Sequence, residues 1–115
     1  MQEQDTAEQQ LRVLVVEDSP TVARELSRAL CARGFAVDTA GSMAQAAELL
    51  RTSAPFYFLA VLDLGLPDAP DGEVVDLARL HRVRSVVFTG RFDAEIRARL
   101  LRRGVIDFVV KSDRA

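Results

Sequence analysis

The feature that most constrains the fold is a series of short apolar runs, each followed by a segment with helical periodicity. The runs at 12–16, 56–62, 85–90 and 105–111 are rich in branched residues and are nearly continuous, which is typical of buried parallel strands. A weaker, alternating run at 35–40 predicts one more strand. The predicted order is βαβαβαβαβ, and such alternation with short loops indicates a parallel sheet covered by helices on both faces.

The bulk composition limits the class of protein. A chain of 115 residues with 49% hydrophobic and 28% charged residues is long enough for one globular domain with an ordinary core. The net charge of -2 provides no basic field for nucleic acid. No apolar run is as long as a membrane span, and residues 1–10 are too polar for a signal peptide. We therefore expect a cytoplasmic domain over 11–115, without direct contacts to nucleic acid or membrane, preceded by a disordered or frayed tail at 1–10.

Polar side chains stand at the carboxyl ends of four of the predicted strands, where a parallel sheet binds its ligands. Taken singly, an acid after a strand is most often a loop or capping residue, but five such positions together favour a site. Three neighbouring carboxylates repel one another unless a cation lies between them, and an all-oxygen set favours Mg²⁺ over Zn²⁺. The residues at these positions are Glu17, Asp18, Asp63, Thr89 and Lys111.

The sequence around these residues resembles the response-regulator receiver domain of two-component signalling. The likeness covers residues 11–111 and is carried by "VLVVEDS", "LDLGLPDAPDG", "VVFTG" and "GVIDFVVK". The resemblance implies a flavodoxin-like α/β fold, with a doubly wound five-stranded parallel sheet in the order 2-1-3-4-5. The segments "PDAPDGEVVD" and "FTGRFDAEIR" are also similar to receivers that stand in series with diguanylate cyclase domains.

The resemblance also implies a role for each strand-end residue. Asp63 would be the phosphoacceptor, and Thr89 and Lys111 would contact the phosphoryl oxygens. Thr89 and Phe108 would be the switch residues that report phosphorylation to the surface. Mg²⁺ would be held by the side chains of Glu17, Asp18 and Asp63 and by the backbone carbonyl of Gly65.

The chemistry of these residue types agrees with that assignment. A carboxylate is a modest nucleophile that can accept an activated phosphoryl group, such as that of phosphohistidine. A divalent cation, an ammonium and a hydroxyl are the groups that stabilise charge on the transferred oxygens. The expected partners are a histidine kinase or phosphotransfer protein and an output domain or partner protein. The output would bind the face formed by the fourth strand, fourth helix and fifth strand, which carries Thr89, Arg91, Ala94, Arg97 and Phe108.

Two other functions remain as alternatives. A receiver-like docking or dimerisation module would bind its partner without being phosphorylated, although the retention of all five site residues favours phosphorylation. A phosphohydrolase with a strand-end aspartate generally has a second acid two residues further on, and here that position is Gly65. We therefore expect no enzymatic turnover of an external substrate, only acceptance of a phosphoryl group and its slow loss from Asp63.

The sequence departs from the family pattern at four places. The loop after Asp63 is one residue longer, at 68–71, and Ser112 stands where the family usually has proline. The switch aromatic, Phe108, has no hydroxyl. The family's fifth helix is missing after Lys111, so we expect apolar side chains of the first and fifth strands to be exposed. Either the chain is part of a longer protein, or another domain or a second copy, forming a homodimer, covers that face.

Overall fold

A computed structural model describes residues 10–53, 56–90 and 94–111, and within them five parallel strands form one sheet in the order β2-β1-β3-β4-β5. The predicted flavodoxin-like fold is therefore confirmed. The strands are β1 Arg12–Val16, β2 Ala36–Ala40, β3 Tyr57–Leu62, β4 Ser85–Thr89 and β5 Asp107–Val110. The described helices, numbered along the chain, are α1 Pro20–Ala32, α2 Met43–Ser53, α3 Glu73–Leu80 and α4 Ala94–Arg102.

In the sequence, Ser19, Ser42 and Asp93 each stand shortly before a helical segment and predict its N-terminal cap, and the structure confirms this for the first two helices. The Ser19 hydroxyl accepts a hydrogen bond from the Val22 amide at 3.3 Å, and Pro20 occupies the first helical position, where its missing N–H costs nothing. The Ser42 hydroxyl accepts from the Gln45 amide at 3.1 Å. Asp93, the cap predicted for α4, lies outside the described residues.

Backbone pairing brings the ends of the strands to one edge of the sheet. The register pairs Val16 with Leu62 across β1 and β3, and Thr89 with Val110 across β4 and β5. The ladder also continues one residue beyond the strands, because the Asp63 amide donates to the Val16 carbonyl at 3.0 Å. The sheet itself therefore places the residues that follow each strand beside one another.

The main core lies between the sheet and helices α2, α3 and α4. Its members are apolar side chains from the strands and from the inner faces of these helices, with little or no exposed surface, and burial of each contributes roughly 1.5–3 kcal/mol. They include Leu14, Leu50, Leu62, Val74, Val87 and Leu100.

The opposite face of the sheet is covered unevenly. Val13 and Val15 of β1 are fully buried because α1 packs against β1 and β2. The expectation that the first strand would be exposed on this face is therefore wrong. At the other end of this face, Val109 of β5 is 39% exposed. Val110 is 41% exposed, but it points to the same side of the strand as Phe108. On this face of the sheet, the β5 end is therefore more exposed than β1. Elsewhere among the described residues, the exposed large apolar side chains are Leu11, Phe56, Leu80 and Ile106.

Other described features bear on the sequence predictions. The Gln10 side chain donates to the Gly34 carbonyl at 2.9 Å, so the last residue of the predicted tail contacts the domain, while residues 1–9 lie outside the described part. Cys31, the single cysteine of the chain, lies on α1 and is exposed. None of the helices in the described ranges has both the length and the apolar character needed to cross a bilayer.

Candidate metal and phosphoryl site

Three carboxylates meet at the carboxyl edge of the sheet. Glu17 and Asp18 follow β1 and Asp63 follows β3, and one oxygen atom of each lies within 4.8 Å of the others. Glu17 is 4% exposed and Asp63 is 8% exposed, whereas Asp18 is open to solvent. Carboxylate oxygens at this spacing, with one side open to water, fit a hard cation such as Mg²⁺, which binds a few protein oxygens and keeps several waters.

Lys111 joins the acidic cluster from the end of β5. Its ammonium nitrogen lies 2.6 Å from Oε1 of Glu17 and 3.6 Å from Oδ2 of Asp63. The first distance is a charge-assisted hydrogen bond, and the second is ionic proximity without a direct hydrogen bond. The same nitrogen lies 5.6 Å from the centroid of the Phe88 ring, a cation–π contact that the sequence did not indicate.

Glu17 is held at both of its oxygens. Oε1 accepts from Lys111, and Oε2 accepts from the Ser19 backbone amide at 3.1 Å. Burial raises the pKa of Glu17, and the charge of Asp63 acts in the same direction, while the bonds from Lys111 and Ser19 oppose it. A buried carboxylate with a raised pKa gains from a nearby cation, because the cation favours its charged form.

Asp63 stands at the junction of the sheet and the following loop. Its Oδ1 accepts from the Gly65 amide at 3.2 Å, while Oδ2 faces Lys111. Gly65 is exposed, and a Cβ at this position would meet no atom within 4 Å. The role of the Gly65 carbonyl as a metal ligand stays a prediction.

Both predicted switch residues are buried. Thr89 is buried at the end of β4, and its carbonyl accepts from the Lys111 amide at 2.6 Å. Phe108 is buried in the main core and lies opposite Val87 in the register. Its switch role also stays a prediction, and Arg91 and Ser112 lie outside the described residues.

Asp68 makes a contact that sequence reasoning missed. Its two carboxylate oxygens accept hydrogen bonds from the Met43 and Ala44 amides at 2.9 and 3.0 Å, and these bonds lower the pKa of Asp68 below its ordinary value of 3.8. The only signal in the sequence was the extra residue in the loop at 68–71, which does not reveal a partner 25 residues away.

A family model for the response regulator receiver domain matches residues 13–115. The chain belongs to the response-regulator receiver domain family. Among curated proteins, this receiver domain is 34% identical over 101 residues to the acid tolerance regulatory protein ActR of Rhizobium meliloti (strain 1021), covering 86% of this chain and 51% of ActR. The chain thus spans about half the length of the curated relatives it matches.

Solved structures agree with this membership. The receiver domain superimposes on the response regulator TrrA from Thermotoga maritima, solved in complex with Mg²⁺ and BeF, with a TM-score of 0.76 and 27% identity over 90% of this chain and 88% of that chain. It also superimposes on a putative two-component response regulator/GGDEF domain protein, with a TM-score of 0.79 and 31% identity over 89% of this chain and 41% of that chain. Receiver domains with and without a further domain are therefore similar to it.

Proposed function

We propose that this receiver domain is a phosphoaccepting switch in which Asp63 takes a phosphoryl group from a histidine kinase or phosphotransfer protein. The observation that carries the proposal is the meeting of three carboxylates within 4.8 Å, with the Lys111 ammonium 3.6 Å from Asp63. No external substrate is turned over, because Gly65 stands two residues after Asp63, where a phosphohydrolase would have its general acid.

The proposed reaction transfers one phosphoryl group between two side chains. A carboxylate oxygen of Asp63 attacks phosphorus, the P–N bond of phosphohistidine breaks, and the imidazole leaves with the bonding electrons. The product is an acyl phosphate on Asp63, which water later hydrolyses. A carboxylate nucleophile carries no proton that a general base would have to remove during this attack.

Lys111 supplies positive charge beside Asp63. In the structure its ammonium donates to Glu17 at 2.6 Å. The same ammonium lies 3.6 Å from Oδ2 of Asp63, close to the place where the phosphoryl oxygens would gather charge. The Thr89 hydroxyl, buried at the adjacent strand end, is the second proposed donor to those oxygens.

The proposed metal site uses Glu17, Asp18 and Asp63, with the Gly65 carbonyl as a fourth ligand. A bound Mg²⁺ would neutralise charge on the phosphoryl oxygens. The chain's own contribution is to hold two buried acids through the Lys111 ammonium and the Ser19 amide, while Asp18 stays accessible to solvent.

The proposed output surface is the face of β4, α4 and β5. Phosphorylation would shift a two-state equilibrium that Thr89 and Phe108 report to this face. The likeness to a receiver joined to a GGDEF domain supports an output domain as partner, without identifying it. A cytoplasmic setting is supported by the single cysteine of the chain, which cannot form an internal disulfide.

A second function is favoured by the exposed apolar surface on the β5 side. A cavity of about 280 Å³ there is lined by residues of α1 and β4, including Leu26 and Phe88. Val109, which pairs with Phe88 in the register of β4 and β5, is 39% exposed. This surface would suit a docking or homodimerisation module that works without phosphorylation.

One experiment separates the two functions. The chain is incubated with acetyl phosphate and Mg²⁺, and its intact mass and its molecular weight in solution are measured. We expect the wild-type chain and the control Asp71→Asn, which changes an exposed acid of the same loop, to gain one phosphoryl group. Asp63→Asn should gain none. Equal labelling of Asp63→Asn would contradict the assignment, and an unlabelled, stable wild-type dimer would favour the docking module.

A further inference from the structure

We propose that Asp68 is a positioning residue that couples the loop carrying the phosphoacceptor to helix α2. The phosphoacceptor loop is defined here as residues 63–72. The inference rests on the proposed function, because it concerns the metal and phosphoryl groups bound through Asp63 and Gly65.

The contact is a two-point attachment between distant parts of the chain. Oδ1 of Asp68 accepts from the Met43 amide at 2.9 Å, and Oδ2 accepts from the Ala44 amide at 3.0 Å. Each oxygen has its own donor, so the carboxylate is fixed in both position and orientation. These amides are the first two of α2, where a helix presents unpaired N–H groups and partial positive charge.

The remaining amides of this helix start are satisfied locally. The Ser42 hydroxyl accepts from the Gln45 amide at 3.1 Å, and the Gln45 side chain accepts from the Gly41 amide at 2.7 Å. The Ser42 carbonyl accepts from the Ala46 amide. The helix therefore has its own cap, and Asp68 adds a second attachment that comes from the phosphoacceptor loop.

The attachment of Asp68 to α2 constrains the rest of the loop because two residues close to Asp68 in the chain are fully buried. Leu66 and Ala69 have no exposed surface, and the Ala69 amide donates to the Leu66 carbonyl at 3.1 Å, which closes a tight turn around Asp68. Gly65 lies directly before this turn, and its amide donates to Oδ1 of Asp63. The path from α2 to Asp63 therefore consists of hydrogen bonds at both ends and a turn whose first and last residues, Leu66 and Ala69, are buried.

Coupling of this kind is reciprocal. If Asp68 holds Gly65 and Asp63 in the arrangement that binds a cation, then the bound cation must in turn stabilise the attachment of the loop to α2 by the same factor. Two measurements follow, one of cation affinity and one of amide exchange at the start of α2.

The affinity measurement compares two ways of weakening the start of α2. Asp68→Ala removes the attachment to the loop, while Ser42→Ala removes the local cap and leaves the loop unchanged. Titration calorimetry with Mg²⁺ on folded protein should show affinity reduced about fivefold or more for Asp68→Ala, the lower range of measured coupling between sites. Ser42→Ala should stay within about twofold of the wild type, as for an independent site.

Two further variants separate geometry from charge. Asp68→Asn keeps the shape of the side chain but loses an oxygen acceptor, so it should also weaken Mg²⁺ binding. Asp71→Asn removes a negative charge from the same loop without breaking a bond to α2, and it should leave the affinity near that of the wild type. Equal losses for Asp71→Asn and Asp68→Asn would show a charge effect and overturn the proposal.

The hydrogen-exchange measurement tests the same coupling at α2, by asking whether a cation bound near Asp63 changes the start of this helix. In the wild type, Mg²⁺ should slow hydrogen exchange at the Met43 and Ala44 amides, and this effect should be lost in Asp68→Ala. Wild-type affinity in Asp68→Ala would overturn the coupling alone and leave the proposed function standing. Absence of Mg²⁺ binding by the wild type would overturn both.

Discussion

At the level of single residues, the buried acids of this receiver domain are held by backbone amides as well as by Lys111. Glu17 is bonded to the Ser19 amide and Asp63 to the Gly65 amide, in addition to their positions beside the lysine. These bonds keep each carboxylate at a defined position before any ligand binds. The proposed cation and phosphoryl group would therefore meet carboxylates that are already in position.

The titration of Asp68 gives a prediction about pH. Bonds from the Met43 and Ala44 amides lower its pKa in the folded chain, so the stabilisation from these bonds is complete above the ordinary value of 3.8 and is lost as pH falls through the lowered folded pKa. The difference in urea stability between wild type and Asp68→Asn should therefore be constant near neutral pH and shrink below pH 3.8. A difference that does not change in that acidic range would contradict the hydrogen bonds to the ionised carboxylate.

At the level of elements, the start of α3 depends on the conformation of Gly72. Its φ angle is 81°, in the left-handed region, and a Cβ on this residue would lie 3.1 Å from Cδ2 of Leu64. Both facts disfavour any other residue at the junction between the phosphoacceptor loop and the helix.

Replacing Gly72 should therefore destabilise the fold. We expect Gly72→Ala to lower the free energy of unfolding by about 1–2 kcal/mol, the cost of a left-handed conformation for alanine, with a further contribution from Leu64. Gly65→Ala in the same loop is the matched control for stability, because nothing lies within 4 Å of its Cβ position. Urea denaturation should separate the two variants, and equal midpoints would contradict the strain at position 72.

At the level of the whole molecule, ligand binding at the sheet edge should stabilise the complete domain. Asp63 and Glu17 are bonded through their backbones to β1 and β2, so a ligand that binds these residues only in the folded chain favours folding. The main core and the edge site belong to the same sheet, and they should unfold together.

This predicts a rise in melting temperature with Mg²⁺ and beryllofluoride, whose beryllium group stands in for a phosphoryl group on Asp63. At about 100 times the dissociation constant, binding contributes about 2.7 kcal/mol. For a domain of this size that corresponds to a shift of roughly 10 °C. Asp63→Asn should show no beryllofluoride-dependent shift in melting temperature. Scanning calorimetry of the wild type and of Asp63→Asn measures both shifts. An equal shift in the variant would place the ligand elsewhere.

Much of the fold was predictable because its signals are local. Short apolar runs, capping residues such as Ser19 and Ser42, and the acids after β1 and β3 can each be recognised within a few neighbouring residues. Once the sheet is parallel, the carboxyl ends of its strands must lie along one edge, which places Asp63 and Lys111 on the same edge. The family resemblance then supplied the order of the strands, which alternation alone leaves open.

Contacts between loops and distant elements were not predictable. The Asp68 carboxylate reaches amides 24 and 25 residues earlier, and the Lys111 ammonium lies over Phe88. The burial of Val13 and Val15 depended on how far α1 extends over the sheet. Such contacts depend on the path of each loop, which no local pattern encodes.

The sequence by itself therefore determined the five-stranded parallel sheet and the set of polar residues at its carboxyl edge, because periodicity and strand-end position act over a few residues. Only the tertiary structure decided which atoms hold those residues in place, and that the longer loop joins α2 through Asp68. The physical reason is that a hydrogen bond requires its atoms within about 3 Å, and for residues far apart in the chain only the complete fold sets that distance.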